Sequence, residues 1–163
     1  MKITQDIIKE YLIYNPETGK FTWTDKQGKR GVKPSREAGC IDGGYIKIRM
    51  GKINYRAHRL AWIYMTGNQP PDYIDHINHD GTDNRWCNIR AATATESACN
   101  IRISSLNTSG FKGVCRYKDG GYVARIWYKN VRIYLGRYPT KEEAYAAYCE
   151  ASKKYHGEFG CIG

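Results

Sequence analysis

Three short strand-like runs in the C-terminal third of the chain constrain its fold more than any other feature. The runs cover residues 111–117, 122–128 and 131–137, and Asp119-Gly120-Gly121 and Lys129-Asn130 lie between them. Glycine and asparagine adopt the positive φ angles that tight hairpin turns require, so consecutive runs are expected to pair as antiparallel strands. This stretch therefore predicts a three-stranded antiparallel sheet.

A helix is predicted to follow this sheet. Thr140 and Glu143 have the spacing of a capping box, in which each side chain accepts a hydrogen bond from the other residue's backbone N–H. His156-Gly157 marks the end of the helix. One helical face carries Ala144, Ala147, Tyr148 and Ala151. Residues 111–163 are therefore predicted to form a module of three strands and one helix.

A second compact pattern precedes this module. Residues 74–77 and 91–92 are predicted to be two short strands, with a loop between them. Thr93 and Glu96 form another capping box, which predicts a helix ending near residue 103. Strand, loop, strand and helix in this order predict a ββα unit. Residues 104–110, rich in serine, asparagine and glycine, are expected to be a linker.

The N-terminal part is predicted to be rich in β-structure. Alternation of apolar and basic residues over 45–50 indicates a strand, and Gly51-Lys52 is expected to turn the chain into a second strand over 53–58. Residues 20–24 predict a further strand. Apolar residues at helical spacing predict helices over 3–14 and 59–65, the second ending at Gly67. The predicted fold class is therefore α+β.

The charge of the chain favours a polyanionic partner. Twenty-six Lys and Arg residues stand against sixteen Asp and Glu, which gives a formal net charge of +10 and a pI near 9.3. Such an excess attracts phosphate backbones, although charge alone does not separate DNA from RNA or from an anionic membrane surface. Lys29 and Arg30 lie in a basic loop that is either solvated or rests on phosphates.

No targeting or membrane-spanning segment is evident in the sequence. The first residues are polar and no long apolar run follows, so a cytoplasmic location without membrane insertion is expected. The six cysteines never form a Cys-x-x-Cys pair, which favours reduced thiols over a disulfide frame or a zinc site. Nothing in the sequence indicates an obligate protein partner.

Asp75-His76 offers a metal ligand and a base next to each other. Hydrolysis of a phosphodiester needs a base for the attacking water, a cation at the leaving oxygen and fixed geometry. Histidine is the side chain best suited to proton transfer at neutral pH, so His76 suits the first role, and Asp75 suits the second. Neighbours on a strand point to opposite faces, so a distorted strand end or a neighbouring element must bring both side chains to one phosphate.

Three further polar residues are candidates for the same site. Asn88, on the loop, is expected to bond the backbone and keep His76 aimed. Ser97 and Asn100 lie one helical turn apart and offer oxygen atoms suited to Mg²⁺, with Mn²⁺ as an alternative.

Other interpretations of these histidines stay open. One alternative is that Asp75-His76 is a salt-linked pair at the surface. A second is that His76 and His79 bind zinc as a pair, although no cysteine or acidic partner converges on them. His58 is interpreted as a structural hydrogen-bonding residue.

The residues around this site resemble the HNH endonucleases encoded as mobile genes in phage genomes. The resemblance lies in His58-Arg-Leu-Ala-Trp62, Ile74-Asp-His-Ile-Asn78, Asp83-Asn84-Arg85 and Asn88-Ile-Arg90, and it extends from about residue 7 to the end of the chain. It implies a ββα-metal nuclease core over residues 1–103.

The same resemblance implies roles for individual residues. Asp75 would bind the divalent ion, His76 would act as general base and Asn88 would take the middle position of the motif. The family places His or Asn nine residues after that Asn, where this chain has Ser97. Either Asn100 substitutes for it or the site is weakened.

The C-terminal module resembles the ethylene-response-factor type of DNA-binding domain. The resemblance lies in Gly110-Phe-Lys-Gly-Val114, Tyr122-Val-Ala-Arg-Ile126, Tyr134-Leu-Gly136, Tyr138-Pro-Thr140 and Glu143-Ala-Tyr-Ala-Ala-Tyr148. Strand alternation places Ala124 and Ile126 towards the helix. The expected DNA-binding residues are Arg125, Trp127, Arg132 and Tyr134, with Lys112, Arg116 and Tyr117 from the first strand, and such a sheet fits the major groove of double-stranded DNA. The first strand of the family carries several arginines, and Cys115 and Tyr117 occupy two of those positions here.

Together these observations predict a metal-dependent, homing-type HNH DNA endonuclease that nicks one strand, since the chain carries one HNH motif. If phage-encoded, it is expected to act in the bacterial host cell. The alternative is a regulatory DNA-binding protein whose nuclease centre has decayed. An RNA-binding protein is a third interpretation, but the expected base-stacking motifs are missing.

Overall fold

The computed structural model describes residues 2–27, 36–100 and 103–160. The chain divides into two compact units, Met1–Ala92 and Thr93–Gly163, and each is described by itself below. The predicted domain limits, with a linker over 104–110, stay a prediction. None of the helices in the described ranges is long and apolar enough to cross a membrane.

The first unit contains two helices and seven strands among its described residues. In chain order these are α1 (Gln5–Tyr11), β1 (Leu12–Asn15), β2 (Lys20–Trp23), β3 (Cys40–Asp42), β4 (Tyr45–Met50), β5 (Ile53–Arg56), α2 (Ala57–Thr66), β6 (Tyr73–His76) and β7 (Ile89–Ala92). The strands pair as two antiparallel hairpins, β1–β2 and β6–β7, and as one antiparallel sheet in the order β3-β4-β5.

The predicted helix over 3–14 is wrong in its second half. The helix begins after Thr4, whose hydroxyl accepts a hydrogen bond from the Ile7 N–H, but it ends at Tyr11. β1 follows directly, because its residues alternate between buried and exposed, as a strand in a half-buried hairpin requires. Pro16 also disfavours helical backbone at the residue before it.

Helix α2 carries the apolar face that holds the first unit together. Its buried residues include Leu60 and Ile63, and they share one core with Ile8 of α1, Phe21 of β2 and Ile48 of β4. Burying each such side chain contributes about 1.5–3 kcal/mol. α2 begins at Ala57, two residues earlier than predicted, so β5 ends at Arg56. The prediction that Gly67 ends the helix is confirmed: Gly67 is left-handed, and its N–H donates to the Ile63 carbonyl.

The second unit contains a small sheet covered by a helix. Its described elements are α3 (Ala94–Cys99), β8 (Val114–Arg116), β9 (Tyr122–Tyr128), β10 (Val131–Tyr138) and α4 (Lys141–His156). The sheet is antiparallel in the order β10-β9-β8, as predicted. Both capping boxes are confirmed, at Thr93–Glu96 and at Thr140–Glu143.

The core of the second unit depends on small residues. Ala124 of β9 and Ala144 of α4 are fully buried, so the helix lies close to the sheet. Gly113 adopts a φ of +73°, and a Cβ atom there would lie 2.1 Å from the ring of Tyr148. Only glycine fits this position.

The helix predicted to end near residue 103 ends earlier. α3 ends at Cys99, and Asn100 caps it by donating its N–H to the Glu96 carbonyl at 3.2 Å; residues 101–102 lie outside the described ranges. The division of the chain places α3 in the second unit and the β6–β7 hairpin in the first. The chain is therefore a mixed α and β protein, and the predicted ββα-metal core stays a prediction.

Candidate functional site

Asp75 and His76 occupy the end of β6, and both are buried. Only 7% of Asp75 and 6% of His76 is exposed. β6 pairs with β7 so that Asp75 lies opposite Arg90 and His76 opposite Ile89. The Nε and Nη2 atoms of Arg90 lie 2.9 and 2.7 Å from the same oxygen, Oδ2 of Asp75. A carboxylate removed from water needs such a partner, because burying a charge without one is costly.

The ring of His76 is oriented by Asn84. Its Nε2 lies 3.2 Å from Oδ1 of Asn84, which is 1% exposed. The amide of Asn84 is oriented in turn, since its Nδ2 donates to the Thr82 carbonyl at 3.0 Å. An amide oxygen only accepts hydrogen bonds, so Nε2 of His76 carries the hydrogen. In the neutral ring the lone pair is then on Nδ1.

Asn88 stabilises the loop rather than contacting the His76 ring directly. Its Oδ1 accepts a hydrogen bond from the Asn78 N–H at 3.0 Å, and its Nδ2 donates to the Asp83 carbonyl at 2.8 Å. Hydrogen bonds from Arg85 to the adjacent Asp83 carboxylate lower the pKa of Asp83 to about 2. Asn88 therefore closes the loop that carries Asn84, and its predicted role in aiming His76 would be indirect.

Residues of the β1–β2 hairpin contact the backbone of Asn84. The Tyr14 hydroxyl donates to the Asn84 carbonyl at 2.7 Å, and burial raises the pKa of Tyr14 above its usual range, which keeps the donor protonated. Gly19 has a φ of +72°, and a Cβ atom there would lie 2.4 Å from the backbone of Asn84 and Arg85. The absence of a side chain at Gly19 permits this close approach.

Two further rings surround His76. The ring of His58 lies 5.0 Å from it in an edge-to-face arrangement, and the ring of Tyr45 lies 5.9 Å from it. Burial, reinforced by the nearby His76 and two arginines, lowers the pKa of His58 to about 3, so its ring is neutral near pH 7. Its buried Nδ1 has no hydrogen-bond partner among the described residues.

Sequence reasoning did not assign Asn84 and Arg90 to the site and treated His58 as structural. All three residues lie within the quoted motifs, but the motifs alone do not reveal which side chains contact Asp75 and His76.

The oxygen atoms at the site are of the chemical type that a hard divalent cation binds. Carboxylate and amide oxygens are the ligands that Mg²⁺ accepts. Over the described part of the chain, no three His, Cys, Asp or Glu residues group closely enough to hold a metal ion. Asp75 is the acidic residue that the sequence predicted as a ligand. Ser97 and Asn100 belong to the second unit, where Asn100 is buried, and their metal-binding role stays a prediction.

The outer face of β9 and β10 brings together four predicted DNA-binding residues. The register places Arg132 opposite Trp127 and Tyr134 opposite Arg125. The Arg132 guanidinium lies 5.0 Å from the centre of the Trp127 ring, which is 56% exposed. Ala124 and Ile126, on the other face, are buried as predicted. The face presents two arginines and two aromatic rings to solvent.

Three other predicted DNA-binding residues have different surroundings, and two lie outside the described ranges. Lys112 donates through Nζ to the Cys99 carbonyl at 3.0 Å. Arg116 pairs with Tyr122, which places it on the helix side of the sheet, at an exposed end. The ring of Tyr117 is covered by the Arg137 guanidinium at 4.9 Å. Lys29 and Arg30 lie outside the described residues. The DNA-binding roles of all these residues stay predictions.

Two protein families match separate parts of the chain. Residues 55–98 match the family of HNH endonucleases, and residues 109–158 match the AP2 domain. The first match includes Asp75, His76, Asn84 and Arg90, and the second covers the three-stranded sheet and helix α4.

Individual relatives divide in the same way. An uncharacterized HNH endonuclease of Acanthamoeba polyphaga mimivirus is 29% identical over 119 residues, which is 71% of this chain and 60% of the viral protein. An ethylene-responsive transcription factor of Arabidopsis thaliana is 32% identical over 95 residues, which is 57% of this chain and 28% of the plant protein. No solved structure matches the chain with statistical significance. The chain thus matches an HNH endonuclease family and then an AP2 domain in chain order, the arrangement that the sequence motifs predicted.

Proposed function

We propose that this chain is a divalent-metal-dependent DNA endonuclease of the homing type that hydrolyses a phosphodiester bond in one strand. The observation that carries the proposal is the orientation of His76 beside Asp75, in which the Asn84 oxygen holds Nε2–H and leaves the basic lone pair on Nδ1. A general base needs such a fixed geometry.

Each residue has a defined task in this mechanism. Nδ1 of His76 takes a proton from the attacking water. Asp75, with Asn100 or Ser97, would hold the cation, Mg²⁺ or Mn²⁺, which when bound offsets the negative charge that grows at the leaving oxygen. Arg90 pairs with the buried Asp75 carboxylate and orients it. One HNH motif per chain supports cleavage of a single strand.

The second unit would supply DNA recognition. The outer face of β9 and β10 pairs cationic and aromatic side chains, which suits hydrogen bonding to guanine and packing on sugars or thymine methyl groups. Double-stranded DNA is therefore the proposed partner. For a virally encoded protein the proposed location is the cytoplasm of the host cell.

A plasmid-nicking assay tests the nuclease proposal. Supercoiled plasmid should be converted to the open circular form with Mg²⁺ or Mn²⁺ and not with EDTA. His76→Ala should abolish this conversion while DNA affinity stays nearly unchanged. Nicking by the variant at the wild-type rate would exclude His76 as the base.

A regulatory DNA-binding protein with a weakened nuclease centre is the second candidate. Ser97 stands where the HNH family has His or Asn, and Arg90 already binds the Asp75 carboxylate. If the centre has decayed, wild-type protein should nick very slowly and Ser97→Asn or Ser97→His should restore activity. If Asn100 is the working ligand, Asn100→Ala should abolish nicking, and Ser97→Asn should add little.

A further inference from the structure

Part of strand β9 has no neighbouring strand among the described residues on the side away from β10. β8 has three residues and β9 has seven, and their register ends where Val114 lies opposite Ala124. One further contact follows, in which the Arg125 N–H donates to the Gly113 carbonyl at 2.8 Å. Residues 126–128 extend beyond this contact. An unpaired strand edge is a template for another extended chain.

The backbone of Trp127 faces this open edge. Residues along an antiparallel ladder bond alternately to one neighbour and to the other. Lys129 and Asn130 form a two-residue turn, which closes with Tyr128 bonded to β10. Trp127 therefore directs its N–H and its carbonyl away from β10. The carbonyl accepts a hydrogen bond from Nε2 of His156 at 2.7 Å, whereas no described residue accepts one from the N–H. Because a carbonyl oxygen has two lone pairs, Trp127 still offers one donor and one acceptor.

The open edge lines a cavity of about 560 Å³, a size typical of ligand clefts. All its described lining residues belong to the second unit. Helix α3 contributes Ala94 and Ala98, and Ile126 of β9 and Tyr148 of α4 lie beside them. These four side chains are apolar or aromatic, so the part of the cavity on the helix side of the sheet suits apolar groups.

The charged residues that line the cavity are cations. They are Lys112, Arg125 and Lys129, and none of the described lining residues is acidic. Arg125 belongs to the outer face of the sheet, as does Trp127. An acidic side chain on that face would therefore be attracted, whereas a basic one would be repelled.

We propose that an extended segment of a partner protein, in which acidic and apolar residues alternate, adds to β9 at Trp127 beyond the end of β8. The segment residue opposite Trp127 would accept a hydrogen bond from the Trp127 N–H and donate one to the Trp127 carbonyl. Successive side chains of a strand point to opposite faces, so the apolar ones would enter the cavity and the acidic ones would lie near Arg125 and Lys129. This partner site goes beyond the proposed DNA cleavage and requires no nuclease activity.

Amide hydrogen exchange, followed by NMR in the full chain, tests the proposal with a blocked pentapeptide that alternates aspartate and valine. Without peptide, the Trp127 amide should exchange faster than that of Ile126, which bonds to β10. Saturating peptide should slow exchange at Trp127 about tenfold or more, while Ile126 stays unchanged.

Modified peptides separate the backbone pairing from the charge. Methylating the backbone nitrogen of the central aspartate should weaken binding roughly tenfold, because it removes the donor to the Trp127 carbonyl. Methylating the nitrogen of a valine, which points away from β9, is the matched control. A peptide with lysine in place of aspartate should not bind.

A protein variant tests the contribution of Lys129. Lys129→Asn should weaken binding roughly threefold, since it removes a cation but keeps a residue that tolerates the positive φ of this position. Lys118→Asn removes an exposed cation beyond the other end of β9 and should have no effect.

Protection of Trp127 by the acidic peptide, lost on methylation of the central aspartate and retained on methylation of valine, supports the proposal. Absence of protection at millimolar peptide overturns it, and so does equal binding of the lysine peptide. A Trp127 amide that is protected without peptide would show that the edge is already covered, by the chain itself or by a second copy. Equal protection by a single-stranded oligonucleotide would assign the edge to nucleic acid and overturn the peptide as its occupant.

Discussion

Arg90 and Asp75 face each other across the β6–β7 hairpin, and both guanidinium contacts fall on one carboxylate oxygen, Oδ2. Both side chains are largely buried, with 14% of Arg90 and 9% of Asp75 exposed. Removing one member of a buried ion pair costs more stability than replacing both members by apolar residues, because the remaining charge is left uncompensated.

Arg90→Gln should therefore destabilise the protein by about 3 kcal/mol. Urea unfolding at neutral pH measures the loss. The control is Lys20→Gln, which removes a cation from an exposed pair with Glu37, each side chain 59% exposed, and should cost less than about 1 kcal/mol. Equal losses in the two variants would contradict a structural role for the buried pair.

Asn84→Leu should reduce the nicking rate roughly 100-fold while DNA affinity stays unchanged. This factor is the low end of the rate enhancement that a general base contributes. The leucine removes the oxygen that holds Nε2–H of His76, so the ring is expected to populate both neutral tautomers. Nitrogen-15 spectra of the histidine side chains report the tautomer directly. Asn84→Asp keeps an acceptor oxygen and should keep the Nε2–H form; a wild-type tautomer in Asn84→Leu would show that another group orients the ring.

Stability should fall in mild acid because of His58. Its pKa is about 3 in the folded protein and near 6.5 when unfolded, so between these values the unfolded chain binds the extra proton. Protonation therefore favours unfolding as the pH falls below about 6.5. Moving from about pH 8 to about pH 5 should cost about 2 kcal/mol from this group. Urea unfolding at both pH values should show a correspondingly smaller difference for His58→Gln, and an undiminished difference would assign the effect to other groups.

Gly113→Ala should destabilise the second unit by about 2–4 kcal/mol, since it adds a clash with the Tyr148 ring to the strain of a left-handed alanine. Gly110→Ala is the control, because Gly110 is also left-handed, at +79°, but has nothing within 4 Å of an added Cβ atom. Its cost should be about 1 kcal/mol. Thermal unfolding of both variants separates the clash from the backbone strain.

Trp127→Ala and Arg125→Ala should each lose about 1–3 kcal/mol of specific DNA binding with little change in folding. Both side chains belong to the outer face of the sheet. Val131→Ala provides the control, because Val131 is exposed on β10 but alternates onto the other face. Titration against a set of duplexes measures affinity and preference; wild-type values for both variants would place recognition elsewhere.

The second unit was predictable because its turns are specified locally. Lys129 and Asn130 both adopt the positive φ angles that the hairpin between β9 and β10 requires. The first unit was less predictable where pairing decides. β3 has only three residues and forms because β4 supplies its hydrogen bonds. No local sequence pattern therefore predicts this strand.

The site shows the same division between local and non-local signals. The sequence placed Asp75 and His76 together on a strand over residues 74–77, and the structure has both in β6, which ends at His76. The predicted second strand began at residue 91 and left out Arg90, so the cross-strand ion pair was missed. The contact of Asn84 with His76 depends on the conformation of the whole loop between the strands, which is closed by Asn88 and by Tyr14 from another hairpin. Neither contact follows from the spacing of residues alone.

The support that Tyr14 and Gly19 give to Asn84 limits which loops this chain can accept between β6 and β7. A loop between β6 and β7 taken from a relative would pack against the β1–β2 turn. There the Tyr14 hydroxyl donates to one loop carbonyl, and residue 19 has no room for a side chain. Chimeras that exchange the loop together with that turn should fold and orient their histidine, whereas loop-only chimeras should not. The loop and the β1–β2 turn that contacts it therefore have to be exchanged together.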